Sequence, residues 1–185
     1  MPPRAAQAAQ ALSADFKLST RLHANTTQQR GRRQIQLDRL TEQEFRQKIA
    51  QTHKGRTKVG FDREIADFLT PAKTHDNLIW QTTPEGGLIT LPSFSSPNAL
   101  ALRLGLSVRQ LPSTAELRFF KDQNSDADVV TGSEILNLIN RNLRAGDPED
   151  TARLYWSPEQ DGDAIGVEIY LQPGTSQTRW EIPAA

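Results

Sequence analysis

The chain has 185 residues, 22 basic and 22 acidic side chains, a mean hydropathy of −0.59 and no cysteine. That length holds one ordinary domain with residues to spare, and the missing cysteines exclude disulfides, thiol nucleophiles and thiolate zinc sites. No stretch approaches the roughly 20 apolar residues that span a bilayer, and the opening MPPRAAQAAQALSADF lacks the apolar core of a secretory signal.

Charge is unevenly placed. Residues 1–63 carry thirteen bases against five acids, and residues 64–185 carry nine against seventeen. A basic arm on an acidic body suits self-association of the two halves or an acidic partner. Residues 1–34, rich in Ala, Gln, Thr and Arg without sustained periodicity, read as a flexible arm. Within it Arg30, Arg32 and Arg33 could attract a polyanion, yet no aromatics interleave to stack bases, so no nucleic-acid partner is expected. As dibasic sequence in an arm, these three arginines are also candidates for proteolytic nicking.

The ordered pattern starts with LDRLTEQEFRQKIAQ, where Thr41 and Glu44 form a capping box and Phe45 and Ile49 a thin apolar stripe. A short helix over about 41–51 follows from it. TKVGF then reads as a strand, REIADFL as a short turn or helix, KTHDN as a polar loop, and NLIWQ as a strand. The PEGG turn leads into the strand GLITLPSF. From Leu100 to Val108 every second residue is apolar, which predicts one antiparallel strand with Arg103 and Arg109 on its wet side. AELRFF repeats the alternation, with Leu117 and Phe119 inward and Glu116 and Arg118 outward.

A second capping box, Thr131 with Glu134, opens a helix carrying Ile135, Leu138 and Ile139 on one face, and Gly146 stops it. RLYW, AIGVEIYL and TRWEIP complete the strand set. The predicted fold is a mostly antiparallel β-sandwich over residues 35–185, with one inserted helix and a short N-terminal helix. Trp80, Trp156 and Trp180 lie in strand patterns that place them in its core, whereas Phe120, Tyr155 and Tyr170 face away from it.

Catalytic chemistry finds little support. His23, His53 and His75 lie in no metal-ligand spacing, phosphate-cradle motifs do not occur, and no nucleophile-elbow sequence is present; no metal, cofactor or catalytic residue is predicted. DQNSDAD and PEQDGD are dense in oxygen but break the calcium-loop order, so both read as solvated hairpin loops. A protein-binding module and a polysaccharide- or surface-binding β-sandwich remain.

The order of motifs separates the two. KVGFDREI, SSPNALALRLGLSVRQLPSTAELRFF, DVVTGSEILNLINRN and ARLYWSPEQDGDAIGVEIYL occur in a sequence that resembles the N-terminal pro-region of secreted bacterial trypsin-like serine proteases, the lysyl endopeptidase precursors in particular. The resemblance covers roughly residues 35 to 183 and implies a non-catalytic pro-domain whose protease domain is absent from this chain. It further implies a folding chaperone and temporary inhibitor, secreted or periplasmic, acting alone as a monomer or in a one-to-one complex with its protease. Candidate docking residues are Arg103, Arg109, Glu116, Arg118, Glu168 and Tyr170 on the outward side of a sheet. Arg179, Glu181, Pro183 and Ala185 at the C-terminal end are expected nearest the protease.

Overall fold

The computed structural model describes residues 32–50, 60, 62–121 and 126–175, the side chains of residues 32, 45 and 48–50 aside. Ten strands and four helices make up this part, the strands dominating as expected. A six-stranded sheet has the order β1 (Arg32–Gln36), β3 (Leu88–Ser95), β10 (Ala164–Leu171), β6 (Glu116–Phe120) and β7 (Asp128–Thr131). The short β2 (Gln81–Thr82) shares the free edge of β3 with β1. All pairings are antiparallel except β1 with β3. β1 takes Arg32, Arg33 and Gln34 into the sheet, residues whose composition alone had placed them in the arm; pairing with β3 overrides a polar sequence.

Two small antiparallel ribbons form a second layer, β4 (Ala101–Leu102) with β9 (Gln160–Asp161) and β5 (Gly105–Ser107) with β8 (Leu154–Trp156). The expected single strand over residues 100–108 is therefore two short ones with different partners. Leu104, Leu106 and Val108 are buried as the alternation requires, but Leu100 is 91 % exposed, lying beyond the end of β4. The main core lies between the layers. Phe94, Leu117, Phe119, Ile165, Val167, Ile169 and Leu171 from the six-stranded sheet meet Leu104, Leu106, Val108, Tyr155, Ile135 and Ile139.

Helix α1 (Glu42–Ala50) begins at the predicted capping box, the Thr41 backbone N–H donating to Glu44 Oε2 at 2.8 Å. KTHDN is not a loop: it ends helix α2 (Pro71–Asn77), whose first residue is a proline whose missing N–H costs nothing there. Thr70 caps it by accepting from the Lys73 N–H at 3.2 Å. REIADFL contains a single 3-10 turn, Ala66–Phe68. NLIWQ contributes only Gln81 to β2. Helix α3 (Gly132–Ala145) carries the second capping box and ends on Gly146 at φ +89°, with the Asp147 N–H donating to the Asn142 carbonyl. A one-turn helix α4 (Glu149–Ala152) leads into β8. The strands expected at TKVGF and TRWEIP lie outside the described residues, apart from Gly60.

Candidate functional site: an arginine-tryptophan face on the β5–β8 ribbon

The ribbon owes its two faces to alternation. Gly105, Leu106 and Ser107 pair with Trp156, Tyr155 and Leu154. Leu106 and Tyr155 point into the core, where the Tyr155 ring lies 6.3 Å from that of Phe119. Gly105, Ser107, Leu154 and Trp156 occupy the opposite face. Trp156 is 39 % exposed, and the residue across from it is a glycine, so no side chain stands directly opposite its indole. The expectation is reversed here: Tyr155 is the core residue and Trp156 the surface one, because β8 enters the ladder in the register that faces Tyr155 inward.

The ladder has one substituted bond. The Ser157 N–H donates to the Leu104 carbonyl at 2.9 Å, as an antiparallel pair should. The return bond is different, for the Leu104 N–H donates to Ser157 Oγ at 2.9 Å, not to the Ser157 carbonyl. That carbonyl accepts instead from Nε of Arg103, at 2.8 Å. Ser157 itself is fully buried, its hydroxyl donating to the Pro158 carbonyl at 2.8 Å. A buried serine thus orients an exposed guanidinium.

Beside it, α4 supplies two carboxylates. Arg109 pairs with Asp150 at 2.7 Å, and Arg153 with Glu149 at 2.9 Å. Arg103 has no carboxylate partner among the described residues. Its charge reaches Tyr155, whose phenol is raised above its ordinary value by burial first and by Glu134 second, with Arg103 opposing the rise.

The residues predicted for docking divide between two places. Arg103 and Arg109 lie on or beside this ribbon face. Glu116, Arg118, Glu168 and Tyr170 sit on the far side of the six-stranded sheet, and most of them are not exposed. Arg118 is 6 % and Glu168 1 % exposed, with Arg118 Nε 3.7 Å from Glu168 Oε1 and Nη2 3.5 Å from Glu116 Oε2. Tyr170, Ile89 and Leu91 form a second apolar cluster on that side, and Phe120 is buried there too. A charge alternating along one strand reads as a wet face; here Arg118 and Glu168 are buried on the same side as Ile89, Leu91, Phe120 and Tyr170.

Arg179, Glu181, Pro183, Ala185 and Arg30 lie outside the described residues. Arg33 is held to Asp67 at 3.0 Å. The PEQDGD segment supplies β9, and Gln160 Nε2 donates to Asp128 Oδ2 at 2.7 Å. Residues 122–125 of the other acidic run are outside the described set. Among the described residues no three His, Asp or Glu side chains converge as metal ligands, and no helix is long and apolar enough to cross a membrane.

Sequence reasoning missed Trp156 and Ser157. The signal lay in the pairing of Gly105 with Trp156, which a single sequence does not print. Comparisons with curated proteins and with solved structures returned no match. The family model of the lysyl endopeptidase N-terminal domain matches residues 32–184, from the first residue of β1 onward. The chain belongs to the lysyl endopeptidase N-terminal domain family.

Proposed function

We propose that this chain is the pro-domain of a secreted trypsin-like serine protease, binding the protease domain to assist its folding and to hold it inactive until removed. The observation that carries the reading is the family match across the whole described fold. The physics is that of any conformation-selective ligand. A domain that binds the native or near-native protease, and not the unfolded chain, stabilises that state by mass action. The β5–β8 face is the docking surface in this reading, since Trp and Arg are the residues enriched where binding energy concentrates. The same reading expects the segment from Arg179 to Ala185 nearest the protease, blocking the substrate cleft before cleavage.

The polysaccharide-binding alternative asks for two or three exposed aromatics on adjacent strands. Among the described residues Trp156 is the one exposed large aromatic, so the alternative draws no support. Titration calorimetry of this chain against the catalytic domain of a lysyl endopeptidase precursor tests the proposal. The expected result is saturable one-to-one binding; heat of dilution alone at micromolar concentration overturns it.

A further inference from the structure

Resting on that reading, we infer that Arg103 is a preoriented carboxylate receptor, with Ser157 as its positioning residue, and that the protease domain presents an Asp or Glu side chain to it. The ladder substitution carries the argument. In a regular antiparallel pair the Ser157 carbonyl takes the Leu104 N–H. Here the Ser157 hydroxyl takes that N–H, and the released carbonyl fixes Nε of Arg103. With Nε engaged, both terminal nitrogens of the guanidinium remain, and their parallel N–H groups match the two oxygens of a carboxylate end-on.

Charge complementarity selects the occupant. Arg109 and Arg153 are already answered by Asp150 and Glu149, so a second acidic group gains nothing from them. Arg103 is exposed and has no carboxylate among the described residues. An arginine held at one nitrogen has lost part of its rotamer freedom before binding, which lowers the entropy cost of docking. Trp156, across the ribbon from Gly105, supplies apolar area on the same face.

Affinity of the full chain for the catalytic domain of a lysyl endopeptidase precursor, measured at several salt concentrations, tests the assignment. Arg103→Gln is expected to weaken binding by about tenfold or more and to flatten its salt dependence. Arg103→Lys keeps the charge but not the fork, and is expected to recover little of the loss. In Ser157→Ala the Leu104 N–H loses its hydroxyl acceptor and is expected to turn to the carbonyl of residue 157, keeping the ladder while weakening and re-aiming the bond that holds Arg103; affinity is expected to fall several-fold with the circular dichroism spectrum unchanged. Should Ser157→Ala fail to fold, the two Arg103 substitutions, made at an exposed position, still decide the matter. Tight wild-type binding that neither Arg103 substitution alters overturns this inference and leaves the pro-domain reading standing. Absence of wild-type binding removes both.

Discussion

The ring of Phe120 lies directly over Gly166 on the adjacent strand, so that a methyl group at position 166 would stand 2.3 Å from Phe120 Cε2. The glycine leaves room for the ring, and the ring covers backbone that a glycine would otherwise expose. Gly166→Ala is therefore expected to destabilise the fold by about 1–3 kcal/mol in urea unfolding, the usual cost of overpacking. Adding Phe120→Leu should restore part of that loss, giving a non-additive cycle. Additive effects of the two substitutions would show that the ring does not set the requirement for glycine.

Arg118 and Glu168 are expected to act on the stability of the fold. Their side chains are nearly fully buried and face each other across β6 and β10. Truncating one member of a buried ion pair costs about 3–5 kcal/mol. Arg118→Leu should lower the urea midpoint markedly. Affinity for the protease domain, corrected for the folded fraction, should stay unchanged, and a selective loss of affinity would return Arg118 to the docking surface.

Glu134 gives the fold a pH dependence with a defined sign. Its carboxylate accepts from the Thr131 N–H at 2.7 Å and from the Thr131 hydroxyl at 2.7 Å, and these bonds, the backbone one foremost, hold its pKa below the ordinary 4.5. A lowered folded-state pKa means stability that is fully present above the unfolded value and lost as pH falls through the folded one. Melting temperatures of the parent and Glu134→Gln should differ near neutral pH and converge as pH drops below about 4.5. A difference that persists unchanged at low pH contradicts the capping assignment.

Neighbouring residues in β8 should respond oppositely to truncation. Tyr155 is packed in the core beside Phe119, so Tyr155→Ala should cost about 3–5 kcal/mol, in the range of large aromatic truncations. Trp156 faces outward, and Trp156→Ala should change stability by less than about 1 kcal/mol. Its effect belongs in the affinity for the protease domain. The reverse ranking in thermal melts would place β8 in the other register.

The contrast within β8 shows where sequence reasoning carries and where it stops. The capping boxes at Thr41 and Thr131 are local, confined to four residues each, and both helices begin where those residues place them. The strands GLITLPSF, AELRFF and AIGVEIYL carry enough alternation to be found from period alone. RLYW has three residues in the ladder, too few for a period to say whether Tyr155 or Trp156 turns inward. The dry far face of the six-stranded sheet was equally hidden. Ile89, Leu91, Phe120 and Tyr170 share that face with Arg118 and Glu168 only through the pairing of three strands, a long-range fact. Arg103 and Arg109 were legible as outward residues, but the bond that orients Arg103 depends on a serine 54 positions away.

In the proposed function this domain acts on a protease by binding its native-like state. The most direct measurement is refolding of a denatured lysyl endopeptidase catalytic domain with and without this chain, followed by hydrolysis of a lysyl substrate before and after the chain is digested away. A higher yield of folded protease, low activity while the complex persists, and full activity after digestion are expected. Equal yields and equal hydrolysis rates with and without micromolar chain would contradict it.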